Sequence, residues 1–366
     1  MQVFNRFKST CITLVNDFKW FYTLVPMNDD FSISYLLISN EWLTRYLNDF
    51  SLIKPLIDKG QIVKVYVLRQ TYNQAKEKRN LLFEEEKKRQ RTAVGRIEKI
   101  EVKYQSPVEE VTLIMNKCIS TPMDCAKHIS EGVSKVSAIA MVDGSPWDMN
   151  RPLSSNCELK LLNLLSPENK VVNTAFWRTC SFILGAVVDT AFKEDVTVHL
   201  HSFPVPVIKS GSFIYDVYLD LDDWKPTDQE MRALSAQYVK LINKELPIER
   251  IEISERLALD MFQDNPIKMT QIPDIAKIGD YIDISKGPMV GNSSLIGRCT
   301  IAAVHKIPEK ESLYRFQGVA LPKGIILNQY AYGLLENRAR KFNNTTWSVF
   351  SEENNEVEDV KVFGRN

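Results

Sequence analysis

The stretch GDYIDISKGPM, residues 279–289, is the one from which the rest of the chain is ordered. It carries Ser285 and Met289. Upstream, RTCSFILG at 178–185 carries Arg178 and Phe182, four residues apart. Residues i and i+4 share one face of a helix, as a pair of helical ligands must. The surrounding pattern from Thr174 to Asp195 is helical, with Phe176, Cys180, Ile183, Leu184, Val187, Val188 and Phe192 on one face. None of Arg178, Phe182, Ser285 and Met289 is a Cys, His, Asp or Glu, so these four cannot assemble a zinc site. Between the two stretches, TDQEMRALSAQYVKLINK at 227–244 predicts a helix opened by a capping box of Thr227 and Glu230. VHLHSFP places His199 and His201 on one side of an extended segment, and two His without a third nearby read as strand-surface residues.

These stretches carry a resemblance. GDYIDISKGPM is similar to the end of the editing-type domain near the N-terminus of threonyl-tRNA synthetases, of the form E-[YF]-V-D-x-C-R-G-P-H. Ser285 and Met289 stand where that pattern has its Cys and His. Aligning Ile183, Leu184 and Gly185 with the family's L-L-G puts Arg178 and Phe182 where its H-S-x-A-H-L helix has two His. GSFIYDVYLD resembles the family's D-G-F-Y-Y-D-x-x-L strand. LPIERIEISERLALDMFQDNPIKMTQI, with Pro247, Arg250 and Phe262 in register, resembles a segment that implies a strand, a helix and a strand. AAVHKI at 302–307 closes the domain, and YRFQGVALP is similar to the connector that follows it.

From Lys99 to Leu165 the chain reads as a small α+β module. Val111 to Met115 is a short apolar strand. Thr121, Pro122 and Asp124 start a helix that is expected to run to about Gly132. Ser137 to Val142 is a second strand, Asp143-Gly144 a tight turn, and Glu158 to Leu164 a last strand. With VDGSPWDMNRPL in its middle, this order resembles the TGS domain of the same synthetases, matched at Asp143, Gly144, Trp147, Asp148, Pro152 and Leu153. Those residues read as turn formers and core. Ser166 to Asn173 reads as a polar link.

The 366 residues are 44% hydrophobic and 25% charged with zero formal net charge, so nucleic-acid contact must come from local basic clusters. Six Cys occur without a C-x-x-C pair, which excludes a zinc ribbon or a secreted disulfide framework. Acidic, basic and amide residues interrupt every apolar run, and no membrane span is expected. Residues 1–26 are compatible with a transit peptide. QTYNQAKEKRNLLFEEEKKRQR, 70–91, predicts one solvated helix. Its Lys76, Lys78, Arg79, Lys87, Lys88, Arg89 and Arg91, continued by Arg96, are the candidate RNA-binding residues, and the compact body is expected to start near residue 97. A helix from Gln329 to Phe342 and an acidic, Asn-rich tail from Ser351 to Glu358 follow the resemblance.

The expected fold is therefore α+β: a β-grasp-like TGS domain at 99–165, then an editing-like α+β domain at 174–320. An unplaced region at 1–68, a charged helical extension at 69–98 and a C-terminal helix and tail at 321–366 flank them. Too few residues follow for the catalytic and anticodon-binding domains of a synthetase. RNLLFEEEKKRQ, RIEKIEVKY, NKCISTPMDCAKHISE and GDYIDISKGP are similar to a TGS-bearing family of mitochondrial large-subunit ribosomal proteins. That resemblance implies a non-enzymatic structural subunit in the mitochondrial matrix, with no cofactor, metal or small-molecule substrate. Its implied partners are mitochondrial large-subunit rRNA and other mitochondrial ribosomal proteins. The alternative is a free-standing tRNA-binding or trans-editing factor working through groups such as Arg178, Ser285 and His305.

Overall fold

The computed structural model describes residues 70–345 except 107–109, 166–169, 194–195, 222, 270, 272–274, 286, 309 and 311. The N-terminal region 1–68 and the acidic tail lie outside the described residues. The chain forms two compact units, Met1–Glu77 and Lys78–Asn366. Only the second is described in detail.

A single helix, α1 (Gln70–Ala93), leads in. The first sheet follows, built from β1 (Lys99–Gln105), β2 (Glu110–Asn116), β3 (Ser137–Val142), β4 (Ser145–Trp147) and β5 (Cys157–Asn163) in the order β2-β1-β5-β3-β4. β1 is antiparallel to β2 and parallel to β5, which gives the mixed sheet of a β-grasp. Its strict alternation of exposed and buried residues places Ile100, Val102 and Tyr104 in the first core with Met115, Cys125, Met149, Leu153 and Leu159. The sequence reading missed β1 and β4, although KIEVKYQ carries that alternation openly. Asp143 and Gly144 both take positive φ, 50° and 77°, as a two-residue hairpin turn requires.

The helix expected from Thr121 to Gly132 is two helices, α2 (Pro122–Ile129) and α3 (Glu131–Val136). Ser130 is extended and caps both: it ends α2, and its hydroxyl accepts from Val133 N to start α3. The α2 start is as expected, Thr121 as N-cap with Pro122 in the first turn, and Asp124, expected only to favour the helix dipole, adds the reciprocal bond of a capping box.

The second core is organised on α4 (Lys170–Ala191), which begins inside the expected polar link and is buried on nearly every side, Arg178 and Asp189 included. Burial inside the protein, not a membrane, accounts for its apolar composition. Around it lies an antiparallel sheet, order β11-β12-β7-β6, of β6 (Val198–Ser202), β7 (Phe213–Leu219), β11 (Ile296–Lys306) and β12 (Leu313–Pro322). YRFQGVALP is therefore not a connector. As β12 it is an inner strand, paired on both sides and buried along most of its length. The capping box of Thr227 and Glu230 opens α5 (Asp228–Ile242) as expected.

β8 (Ile248–Ile251), α6 (Glu255–Met261), α7 (Pro266–Met269), β9 (Ile275–Ile278) and β10 (Tyr281–Ile284) realise the expected strand, helix and strand, with sheet order β10-β9-β8. α1 docks on this sheet. Phe83 is fully buried among Ile251, Ala258, Met261, Phe262, Ile282 and Ile284. The expectation of a wholly solvated helix fails here, and so does a compact body starting near residue 97. The apolar trio Leu81-Leu82-Phe83 was the signal, and its third member is the anchor. α8 (Gln329–Ala339) ends three residues before Phe342 and packs Tyr332 and Ala339 on Val319 and Leu321.

Candidate functional site

The four positions where the synthetases carry Cys and His converge on one buried region, and each is filled by packing. Arg178, on α4, donates from Nη1 to Pro288 O at 2.8 Å. Its guanidinium lies so close to Gly287 that a Cβ there would sit 3.0 Å from Cζ. Burial, and next the neighbouring Arg250, push its pKa down to about 10, with Asp148 opposing. Phe182 is fully buried, its ring 5.1 Å from that of Tyr281. Met289 is buried in the same core. The Ser285 hydroxyl is buried without a hydrogen-bond partner among the described residues.

Residues from the first domain reach the same region. The β4–β5 loop, WDMNR at 147–151, reaches across to the second core. Asp148 accepts from Met289 N at 2.8 Å through Oδ1, and its Oδ2 lies 3.0 Å from Arg250 Nε. Arg250 also donates to Ser285 O at 3.1 Å and to Gly287 O. Asn150 Nδ2 donates to Ile248 O and Gly291 O, both at 2.8 Å. Met149 packs so tightly on Gly291 that a Cβ there would approach Met149 Cβ to 2.7 Å. Arg151 pairs with Glu252 and lies over the Trp147 ring at 3.8 Å. Of the residues read as turn formers and core, Asp148 is thus part of an interlock between the two cores, together with its neighbours Met149, Asn150 and Arg151.

Beneath this lies a second polar cluster that the sequence reading did not single out. Lys268 Nζ is 2.6 Å from Asp283 Oδ1, while the hydroxyls of Tyr215 and Tyr281 donate to Asp283 Oδ2 at 2.5 Å and 2.9 Å. Burial lowers the Lys268 pKa against the pull of Asp283. Burial, then the charge of Asp283, raises both tyrosines far above their usual range. Gly185 is required here, since a Cβ would meet Tyr281 Oη at 2.4 Å and Tyr215 at 2.5 Å. A Lys and an Asp inside apolar runs, IKM and YIDI, were the available signals.

Neither cluster has the donors a zinc ion takes, and among the described residues no three His, Cys, Asp or Glu side chains are placed to share a metal. His199 and His201 lie on β6, and His201 Nδ1 is 2.6 Å from Ser202 Oγ. His305 is on β11, its ring against Phe342 and its Nε2 3.1 Å from Arg340 O. It is committed to the C-terminal segment rather than joined to Arg178 and Ser285.

The candidate RNA-binding cations divide into two sets. Lys78 pairs with Asp260 at 2.6 Å, Lys87 with Glu249 at 2.7 Å and Arg89 with Glu86 at 2.6 Å. Arg79 is buried, bonded to both oxygens of Asp264 at 2.7 Å and 2.8 Å and to Met261 O at 3.0 Å. Together with Glu84–Lys277 at 2.7 Å, the pairs of Lys78, Arg79 and Lys87 hold α1 on the three-stranded β10-β9-β8 sheet and α6, whereas Arg89–Glu86 lies within the helix itself, so the reading of a solvated cationic helix is corrected for the three docked residues. Lys76 lies on the N-terminal part of α1, in the other unit. Lys88, Arg91 and Arg96 are exposed and have no carboxylate partner among the described residues. Gly95, at φ 62°, ends the helix between the last two.

Comparison with known proteins agrees with this geometry. Residues 117–163 match the TGS domain family. Threonine–tRNA ligase of Thermotoga maritima is 30% identical over 234 residues, 60% of this chain but 34% of the ligase. The cytoplasmic threonine–tRNA ligase 2 of Homo sapiens is 27% identical over 224 residues, 58% of this chain and 26% of the ligase. The chain thus spans about a third or less of these ligases. The large ribosomal subunit protein mL39 of Drosophila melanogaster is 52% identical over 278 residues, which cover 72% of this chain and 84% of that protein. Similarity at that level over most of both chains shows that this chain belongs to the mL39 family of large ribosomal subunit proteins.

Proposed function

We propose that this chain is held to large-subunit rRNA of the mitochondrial ribosome by the cationic end of α1, through Lys88, Arg91 and Arg96. As a family member it is a structural, non-catalytic component of the large subunit in the mitochondrial matrix, related to threonine–tRNA ligase, with ribosomal partners. The observation that carries the RNA reading is the division of the α1 cations. Three of the eight candidates are taken up by docking and a fourth, Arg89, by Glu86 of its own helix, whereas these three face solvent with no carboxylate partner among the described residues. Phosphate contact needs cations of that kind, because each phosphate neutralised releases condensed counterions. The interlocked cleft supports the same division of labour, since a site occupied by Asp148 and Arg250 offers a tRNA end no room. On this reading the parts at 99–165 and 174–320 are one rigid body presenting its outer surfaces.

The test replaces Lys88, Arg91 and Arg96 together with Ala in the full chain and follows incorporation into the large subunit on gradients of rising salt. The slope of log affinity against log salt should fall by about 2 to 3, since about 0.7 to 0.9 is lost per phosphate contact. Ser285→Ala, which removes a hydroxyl without a partner, should leave incorporation unchanged. An unaltered salt profile in the triple variant would return attention to other surfaces.

A further inference from the structure

α8 turns one face to β12 and leaves the other uncovered. Tyr330 and Leu334, four residues apart and so on one face, are 78% and 54% exposed, and Ile326 just before the helix is 92% exposed. The chain then folds back, and a groove lies between this face and the loop at 205–210, lined by Ser210, Leu334, Asn337, Arg338, Lys341 and Phe342. The two walls are fixed to each other. Arg338 donates to Lys209 O and lies where a Cβ of Gly211 would be 2.6 Å from its Nε. Asn343 Nδ2 donates to Ser210 Oγ at 2.9 Å and Ser212 O at 3.1 Å. The loop wall adds exposed Val205 and Val207.

The rim is of one sign. Lys209, Arg338, Arg340 and Lys341 are exposed, and none has a carboxylate partner among the described residues. Glu336, the one acid of α8, is turned inward to Thr300 Oγ1 at 2.8 Å. Leu334 and Phe342 in the groove, with exposed Tyr330 beside them and cations that have no carboxylate partner among the described residues, are complementary to an amphipathic helix with an aliphatic stripe and acidic flanks. RNA would satisfy the cations and leave Leu334, Tyr330 and Ile326 in water. Burial of such side chains is what a protein partner gains, at roughly 25 cal/mol per Å².

We propose that this groove binds an acidic amphipathic helix of another large-subunit protein. The inference rests on the reading of the chain as a large-subunit component, and names the kind of neighbour it takes.

The test uses intact large subunits treated with a carbodiimide, which joins a lysine amine directly to a carboxylate. Lys209 and Lys341 should couple to Asp or Glu side chains in one helix of another subunit protein. In the surface double variant Tyr330→Ser with Leu334→Ser, the chain should stay in the subunit and those cross-links should be lost. Coupling instead to this chain's own acids between 351 and 358 would overturn the proposal, as would ultraviolet cross-links from Lys341 to rRNA, or the absence of any cross-link. Absence of the chain from the subunit fraction would overturn the structural-component reading and this inference with it. Presence without carboxylate cross-links would overturn the inference alone.

Discussion

At the scale of single residues, Asp148 has the largest predicted effect. It is buried, receives Met289 N at 2.8 Å and pairs with Arg250 at 3.0 Å, so Asp148→Ala leaves a buried guanidinium without its counter-charge and the Met289 amide without its acceptor. Removing one partner of a buried pair costs about 3 to 5 kcal/mol. The urea midpoint of the variant should fall accordingly, and a fall within experimental error would show that the interlock contributes nothing to stability. His201 gives a pH dependence. Burial, followed by the charges of Lys310, Lys268 and Arg315, lowers its pKa to about 4 in the folded chain. The unfolded imidazole titrates near 6.5. Between those values the unfolded state binds more protons, so this contribution is fully present above pH 6.5 and is lost as pH falls toward 4. Urea midpoints at pH 7.5 and 4.5 should differ less in His201→Gln than in the parent chain. An equal drop in both would assign the acid sensitivity elsewhere.

At the scale of elements, α1 shows how a charged helix can be structural. Its cations were visible in the sequence, but which of them meet acids depends on Glu249, Asp260 and Asp264, all far along the chain. Phe83, fully buried against the β10-β9-β8 sheet, should dominate the docking. Phe83→Ala should cost about 3 to 5 kcal/mol and speed amide exchange across residues 78–93, while Leu81→Ala, at a 59% exposed position, should change little. Uniform protection in both variants would mean that the ion pairs alone hold the helix. The break between α2 and α3 is a local matter by contrast: Ser130 serves as cap to both, and a sequence reading that allowed only one helix start overlooked it.

At the scale of the whole molecule, the relation to the ligases survives in frame and is lost in chemistry. Hydrolysis of an aminoacyl ester needs a base or metal that activates water. Arg178, Phe182, Ser285 and Met289 provide neither, and the loop at 147–151 is bonded to the backbone of Met289 beside them. The purified chain should keep no stoichiometric zinc after dialysis and show no turnover on seryl-tRNA for threonine, because a site without ligands has no binding energy to stabilise a metal. Zinc retained at one equivalent would contradict this.

The amino-acid sequence alone determined the α+β class, the Thr121 N-cap, the capping box of Thr227 and Glu230, the Asp143-Gly144 turn and the loss of ligand chemistry at four positions. These follow from side-chain type and short spacing, which act through contacts within a turn or a strand. Only the tertiary structure decided that β12 is an inner strand, that Lys78, Arg79 and Lys87 of α1 are taken up by distant acids, and that Asp148 belongs to the second core rather than to its own turn. Each of these depends on groups more than eighty residues apart in sequence being brought within hydrogen-bond distance. Composition and periodicity carry no record of such pairings, because a buried Asp and a solvated one are the same letter until the chain folds around it.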